Sequence, residues 1–479
     1  MEHLIKDIIT KLNLPGVTFA DARITYTDSE GIRFMNGFLR DYGSSKASPA
    51  LGVRVLINGC WGFAGSGDLS KASIDRVIKT AITNAKSGSG FIKDPVRFPM
   101  LPATIADYHF EPEIDPFLMD RAEKLEYLGR LANAIKPEGK IVHSFVAAQF
   151  QRQEKYYANS EGSYSHTTVY NTLPYMEVIA ADGKQMQTRT WPGHMSAGRG
   201  GFELFYQQMF EENTERIIKE ATELLDAPGI EEERADIIIG GGHLALQLHE
   251  SVGHATEADR IFGMEISYAG KTFVKPAMLG SYQYGSEAVN IYSDSSDPRG
   301  MGYHPMDDEG VPGRRVDIIK DGILKDQQTS RHIAHLLGLE PSSNMKASFA
   351  DDFPLVRMTN FCLAPGSGSL NELIESTEHG YLLDFTKTWS IDDNRNNFQF
   401  TTEIGYRIDG GKITGIVKEP TYFGITKDFW NACDKVCGEQ EWKFHGTFHC
   451  GKGEPGQAML LSHGVAPARF RNINVSVKI

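Results

Sequence analysis

The segment 235–254 constrains the local fold more than any other part of the chain. Residues 235–239 form a short apolar run, rich in β-branched side chains, that is typical of a buried strand. The glycines at 240–242 indicate a tight turn into a helix, and that helix carries His249 and His254. A strand, a tight turn and a helix make a rigid frame of the kind that borders a binding cleft, so functional residues are expected here.

The spacing of the two histidines conflicts with a regular helix. In the zinc motif H-E-x-x-H the histidines are four positions apart, whereas His249 and His254 are five apart. Positions five apart lie roughly 140° apart around a straight helix, so the two rings would not reach one ion. A local widening to i→i+5 hydrogen bonds would restore a common face, and Gly253 tolerates unusual backbone angles. The sequence therefore predicts a distorted helix at Ser251–Gly253 and a metal between the histidines.

The third ligand is left open by the spacing. A catalytic zinc needs three protein ligands and one open position for water. Glu257 and Asp259 lie one turn beyond His254, and the segment 445–452 contains two histidines and Cys450. A thiolate or an imidazole suits zinc or iron. Two histidines and a glutamate within six residues also occur by chance on partly exposed helices.

Length and composition restrict the class of protein. A chain of 479 residues is too long for one hydrophobic core, which predicts two or three domains. The net charge of −13, without a block of lysines and arginines, argues against a nucleic-acid surface. No apolar run long enough to span a membrane and no signal peptide is recognisable, so a cytoplasmic protein without a membrane partner is predicted. The five cysteines are an odd number and too dispersed for a disulfide framework, so reduced thiols are expected.

Composition shifts divide the chain into three predicted domains. A strand-helix domain over 1–90 ends at a Gly/Ser- and Pro-rich stretch, a middle α+β domain covers 110–228, and a C-terminal domain covers 229–479. The Asn58-Gly59 pair predicts a hairpin turn. Helices are predicted over 1–15, 73–86, 116–135 and 214–226, and strands over 22–26, 51–57, 141–149, 155–157, 167–171 and 176–181.

Several sequence blocks together resemble the TldD/PmbA family, and specifically its TldD-like branch. The blocks are His249-Glu250-Ser251-Val252-Gly253-His254, Asp307-Asp308-Glu309-Gly310 with Pro312-Gly313, Arg357-Met358-Thr359-Asn360, and Cys450-Gly451-Lys452 followed by Gly456-Gln457. The resemblance runs from about residue 18 to the C-terminus. The first block alone is a weak signal, but all of them in this order are specific.

The resemblance implies a fold, an activity and a ligand set. The expected fold is α+β, with an N-terminal α/β domain and a strand-rich C-terminal catalytic domain. The implied activity is a metallopeptidase acting on unfolded or extended peptides. Its metal ligands would be His249, His254 and Cys450, holding Zn²⁺ or Fe²⁺, with Glu250 as the general base. The family also implies a PmbA-like second subunit, which lacks the histidine motif, or a homodimer.

Other polar residues have a functional and a structural interpretation. Glu257 is expected to be a solvated helix-face charge, and His445 and His449 to be structural or to support the ligands. The acidic loop 307–309 is expected to orient the histidines. Arg357 and Asn360 could bind the peptide backbone or form structural pairs, and the sequence does not choose between the two. Cys433 and Cys437 are expected to pack in the core.

Two departures from the family pattern and two alternative functions accompany this prediction. The segments 386–392 and 462–467 differ from the family's glycine-rich sequences, and they are expected to affect substrate choice and partner docking. One alternative is a non-catalytic regulatory module of the gyrase or toxin–antitoxin type, against which the intact histidine and cysteine motifs argue. The other is a metal-dependent amidohydrolase with a non-peptide substrate.

Overall fold

The computed structural model describes residues 1–268, 270–453 and 455–477. Its helices are α1 Glu2–Leu12, α2 Lys71–Ser89, α3 Arg121–Ala134, α4 Glu203–Gln207, α5 Phe210–Asp226, α6 Gly241–Leu248, α7 Arg331–Leu337, α8 Leu370–Glu375 and α9 Thr426–Asn431. The strands are β1 Val17–Met35, β2 Phe38–Ile57, β3 Cys60–Ser66, β4 Ile105–His109, β5 Ile141–Asn159, β6 Tyr164–Ala181, β7 Met186–Trp191, β8 Gly198–Arg199, β9 Glu233–Ile239, β10 Ile291–Asp294, β11 Arg315–Lys320, β12 Ile323–Leu324, β13 Met345–Lys346, β14 Leu355–Val356, β15 Asn360–Leu363, β16 His379–Ile391, β17 Asn397–Asp409, β18 Lys412–Lys418, β19 Pro420–Ile425, β20 Cys433–Val436, β21 Lys443–Lys452, β22 Gln457–Val465 and β23 Ala468–Val477.

The first sheet contains strands from both the predicted N-terminal and the predicted middle segments. Its order is β3-β2-β1-β5-β6-β4, with β7 and β8 also paired to β6. β1 runs antiparallel to β5, with Asp21 opposite Asn159. Strands β5 and β6 are continuous over 19 and 18 residues, whereas the sequence predicted two separate pieces for each. The two segments are therefore joined through one continuous sheet.

The C-terminal segment contains the largest core, a two-stranded sheet of β13 and β14, and two larger sheets. One sheet has the order β12-β11-β10-β15-β22-β21. In the other, β16-β9-β23-β19-β17 is closed into a ring because β16 also pairs with β17. Ile237–Ile239 of β9 are all buried, as expected for a strand hydrogen-bonded on both sides and covered on both faces. α6 follows directly and packs against this sheet, so the histidine segment starts from a rigid element.

The predicted helices and the first hairpin are confirmed. Ser70 caps the start of α2, since its hydroxyl accepts a hydrogen bond from the Ser73 N–H. The apolar residues of α2 recur at helical spacing and are buried. The turn between β2 and β3 has positive φ at Asn58 (51°) and Gly59 (75°), as a two-residue hairpin requires. The predicted α+β class is confirmed as well.

The acidic loop 307–309 packs against the first sheet. Arg54 of β2 donates to the Asp308 carbonyl at 2.8 Å and lies 3.4 Å from Glu309. Lys155 of β5 binds the Asp308 carboxylate at 2.5 Å. The prediction that this loop orients the histidines is wrong, because its carboxylates bind cations of the first sheet and backbone N–H groups. The loop instead fixes the C-terminal segment to the sheet.

Within the described part of the chain, no helix combines the length and the apolar character needed to cross a membrane.

Arg54 is expected to be one of the most sensitive positions for stability. It is fully buried and also binds Asp21 at 2.8 Å, so Arg54→Met would leave Asp21 and Glu309 buried without their cation. We expect the free energy of unfolding to fall by about 3–5 kcal/mol in a denaturant titration. The control is Arg33→Met, which removes an exposed pair with Asp41 at 3.7 Å and should change stability by less than about 0.5 kcal/mol. Equal effects of the two substitutions would contradict the assignment.

Candidate metal centre

The helix widens where the histidine spacing predicts it. Residues His249–Gly253 form a π-helical turn at the end of α6, and the His254 N–H donates to the His249 carbonyl, five residues back. Gly253 has ordinary right-handed angles (φ −53°, ψ −62°), so the turn does not use the tolerance of glycine for unusual angles. The lack of a side chain matters for packing instead, because a Cβ there would lie 2.2 Å from the Met358 sulfur and the buried Met358 side chain would have to move.

The widened turn brings three candidate ligands together. Cys450 Sγ lies 3.4 Å from His249 Nε2 and 3.7 Å from His254 Nε2, and all three residues are buried. A tetrahedral zinc, with bonds of about 2.3 Å to sulfur and 2.0–2.1 Å to nitrogen, separates its sulfur and nitrogen ligands by about 3.6 Å. The two measured distances bracket that value. The spacing and the chemistry of these donors thus fit a zinc ion, and Cys450 is the third-ligand candidate that meets the histidines.

A buried histidine outside the motif fixes the ring of His249. His463 Nδ1 lies 2.8 Å from the Phe361 carbonyl, and its Nε2 lies 2.8 Å from His249 Nδ1. Burial holds the pKa of His463 well below the ordinary value, so the ring is neutral and has one N–H. The carbonyl can only accept, so that proton is on His463 Nδ1, and His249 Nδ1 must donate to His463 Nε2. His249 Nε2 is therefore left with its lone pair directed toward Cys450.

A buried carboxylate fixes the ring of His254. Glu257 is fully buried, and its Oε2 lies 2.9 Å from His254 Nδ1. The carboxylate accepts, so His254 Nδ1 carries the proton and Nε2 is free to bind a metal. Burial raises the pKa of Glu257, but Lys452, His254 and Arg260 hold it well below its usual range. The prediction of a solvated charge at Glu257 is wrong.

The Cys450-Gly451-Lys452 sequence places the side chains of Cys450 and Lys452 on one face of β21. Lys452 Nζ lies 2.9 Å from Asp259 Oδ1 and 3.4 Å from Glu257 Oε2, so both carboxylates are paired with it. Burial raises the pKa of the Cys450 thiol, but Arg357 and His254 lower it, and the net shift is downward. The lowered pKa favours the thiolate, which is the form that binds metals.

Glu250 is held by residues of the β16–β17 hairpin. The Trp389 indole N–H donates to Glu250 at 3.1 Å, and Arg395 forms an ion pair with it at 2.7 Å. Burial raises the pKa of Glu250, but the neighbouring histidines and Arg395 lower it below its ordinary value. Glu250 therefore carries a negative charge beside the histidine pair. Trp389 belongs to one of the segments that depart from the family pattern.

The remaining candidates have structural contacts. Arg357 is fully buried and donates to the Cys450 carbonyl. The Asn360 amide binds the Asp297 carbonyl and the Gly302 N–H, which supports the structural interpretation. Cys433 and Cys437 are buried, as expected for packing residues. His445 lies close to Gly241 at the start of α6, whereas His449 is exposed.

Sequence reasoning missed His463, Lys452 and the roles of Trp389 and Arg395. His463 was visible only as part of a segment that departs from the family pattern. Lys452 was part of the recognised motif, but its role depends on a partner almost 200 residues away. No local signal identifies such contacts, because a strand sequence does not state which helix turn it will face.

The chain matches a family of metallopeptidases along most of its length. Three family models match consecutive parts of the chain: PmbA/TldA metallopeptidase domain 1 over residues 20–85, the central domain over 114–227 and the C-terminal domain over 232–476. The chain belongs to the PmbA/TldD family.

Related proteins match over nearly the full chain. A metalloprotease of Methanothermobacter thermautotrophicus is 30% identical and covers 96% of this chain and 95% of its own length. A zinc metalloprotease TldD homolog of Saccharolobus solfataricus is 24% identical, with 98% of both chains covered. The solved structure of TldE from Thermococcus kodakarensis has a TM-score of 0.71 at 16% identity and covers 99% of each chain. That structural likeness supports the fold.

His463 should control metal affinity through the His249 ring. His463→Phe keeps an aromatic ring but removes the acceptor for His249 Nδ1, so we expect zinc affinity to fall 10–100-fold in a competition titration with a chromophoric chelator. His304→Phe is the control, since His304 contacts a backbone carbonyl of Ser343 at 3.0 Å and not the candidate ligands. Unchanged affinity in His463→Phe would refute the positioning role.

Proposed function

We propose that the chain is a zinc-dependent peptidase that hydrolyses unfolded or extended peptides. The observation that carries the proposal is the convergence of His249 Nε2, His254 Nε2 and Cys450 Sγ within 4.8 Å of one another, with Glu250 next to the first histidine. Relatives named as metalloproteases support the same activity.

The site residues divide into those that would hold the metal and one that moves a proton. His249, His254 and Cys450 would hold zinc, and Fe²⁺ is the second candidate for the same donors. When bound, the metal would supply a Lewis acid that polarises the scissile carbonyl and acidifies a water molecule. The Glu250 carboxylate would take a proton from the attacking water and return it to the leaving amine.

Trp389 and Arg395 have a positioning role in this proposal. Their contacts hold both oxygens of Glu250, because the Trp389 N–H reaches Oε1 and Arg395 reaches Oε2. A base held from two sides keeps one orientation toward its substrate, which reduces the ordering required in the transition state. Both residues lie on or next to the tip of the β16–β17 hairpin.

The partner and location remain predictions of the same proposal. A PmbA-like subunit or a second copy of this chain would enclose the site, and a cytoplasmic location is expected. Activity that appears only after mixing with a PmbA-like protein would favour the heterodimer.

The activity is tested with metal-loaded protein and an unfolded polypeptide, with and without a chelator. Hydrolysis that the chelator abolishes and added zinc restores is the expected result. Binding without cleavage would favour the regulatory alternative, and cleavage confined to non-peptide amides would favour the amidohydrolase.

Glu250→Gln should separate metal binding from turnover. The amide keeps the size of the side chain and still accepts from Trp389, but it cannot take a proton, so we expect turnover to fall about 10²–10⁴-fold. Metal content by elemental analysis should equal that of the wild type. Glu419→Gln is the control, since Glu419 forms its ion pair with Lys387 rather than with site residues. Peptide hydrolysis at the wild-type rate in Glu250→Gln would exclude Glu250 as the general base.

Cys450→Ser tests the third ligand. A hydroxyl is a poorer zinc ligand than a thiolate, so the variant should lose bound zinc during dialysis while the wild type retains it. Cys60→Ser is the matched control, because Cys60 is a half-buried free cysteine whose thiol donates to the Trp61 carbonyl. Full zinc retention in Cys450→Ser would exclude the cysteine as a ligand.

A further inference from the structure

A second group of metal-binding side chains lies at the edge of the first sheet, on β4 and β6. β4 is paired in parallel with β6, and Asp107 is directly opposite His166. His109, two residues after Asp107, points to the same face. Asp107 Oδ1 lies 2.9 Å from His109 Nε2 and 3.4 Å from His166 Nδ1, and all three atoms lie within 4.8 Å of one another.

The far side of each imidazole is already bound to a protein group. His166 Nε2 lies 2.9 Å from Glu154 Oε1, and the same oxygen accepts from the Tyr156 hydroxyl at 2.6 Å. The Tyr156 ring stacks on His166, with centroids 4.2 Å apart and planes at 9°. His109 Nδ1 lies 2.9 Å from the Thr168 hydroxyl. A histidine that ligates a metal shows this arrangement, with its second nitrogen held by a carboxylate or another polar group.

The tautomer of His166 decides what its ring presents to Asp107. Glu154 can only accept, so a neutral His166 places its single proton on Nε2. Its Nδ1 lone pair then faces the Asp107 oxygen at 3.4 Å, and two acceptors point toward one space. A cation between them would remove this conflict.

The spacing and the donor types match a divalent transition metal. Bonds of about 2.0–2.2 Å to nitrogen and oxygen separate neighbouring ligand atoms by about 2.9 Å at right angles and about 3.4 Å in a tetrahedron. The distances from Asp107 Oδ1 to the two imidazoles, 2.9 and 3.4 Å, fall within the range spanned by these two geometries. Two imidazoles and a carboxylate suit Zn²⁺, Co²⁺, Ni²⁺ or Fe²⁺ better than Mg²⁺ or Ca²⁺, which prefer oxygen ligands.

We propose that Asp107, His109 and His166 form a second binding site for a divalent transition-metal ion, which cross-links the edge strand β4 to β6. The side chains of Asp107 and His109 are 69% and 44% exposed, so water would complete the coordination and the ion would exchange more readily than one held in a buried site. β4 has five residues and, among the strands of the described residues, it pairs with β6 alone. An ion bound to the folded state only would stabilise this edge.

Cobalt distinguishes the two sites because only one contains sulfur. Metal-free full-length protein is titrated with Co²⁺, and absorption is recorded together with the bound cobalt after gel filtration. The site with Cys450 should give a thiolate-to-cobalt charge-transfer band, and the β4–β6 site should bind a further equivalent without such a band. Thermal unfolding of the same samples should move to higher temperature as that further equivalent binds.

His166→Ala is the decisive variant. This variant should no longer bind the further equivalent of Co²⁺, and its unfolding temperature should no longer rise with that binding. It should keep the charge-transfer band, and the band also shows that the chain is folded. Asp107→Asn should weaken the binding of the same equivalent of Co²⁺. His379→Ala is the matched control, since His379 lies between Glu233 and Asp409, both at 3.1 Å, without a second imidazole, and it should bind cobalt like the wild type.

Two outcomes would overturn the proposal. One is a wild-type chain that binds no equivalent beyond that of the charge-transfer band, which would mean that a proton on His166 satisfies the two carboxylates. The other is equal cobalt binding by wild type and His166→Ala. Absence of the charge-transfer band would count against the Cys450 site alone. The β4–β6 site would still be tested by the difference in bound cobalt between the wild type and His166→Ala.

Discussion

The candidate metal centre depends on one backbone hydrogen bond, from the His254 N–H to the His249 carbonyl. A regular helix would connect that carbonyl to the residue four positions on, and the two rings would then diverge. The five-residue turn costs a well-formed helical bond, and π turns persist mainly where function requires them. Here the Met358 side chain packs directly against Gly253, in the space where a Cβ would lie, so this side of the turn is covered.

The two histidines are oriented by different means, although each would offer Nε2 to a metal. A neutral histidine accepts from His249, whereas a carboxylate accepts from His254. The carboxylate side is charge-balanced by Lys452, two residues after Cys450. Residues two apart share a face of a strand, so the lysine that pairs with Glu257 also directs Cys450 toward His254. The spacing of the Cys-Gly-Lys motif thus has a geometric reason.

Local patterns predicted the helices, the first hairpin and the widened turn, because each depends on neighbouring residues. They failed where strand pairing or an ion pair between residues distant in sequence decides the structure. The polar run Gln151–Glu154 ended the predicted strand, yet β5 continues, since β1 and β6 satisfy its backbone on both sides. Glu257 was predicted to be a solvated charge because its cation, Lys452, is distant in sequence. The family resemblance supplied Cys450, which spacing alone could not choose.

Buried charge also explains why distant segments hold one geometry. Cations of the first sheet fix the loop 307–309. Asp307 of this loop accepts from the Met345 N–H of β13, and the amide of the preceding Asn344 donates to the Arg357 carbonyl. Arg357 in turn binds the carbonyl of Cys450. These contacts are buried, so breaking one would leave its donor or acceptor without a partner away from water. The sheet that carries no candidate catalytic residue therefore contributes to the position of the thiolate.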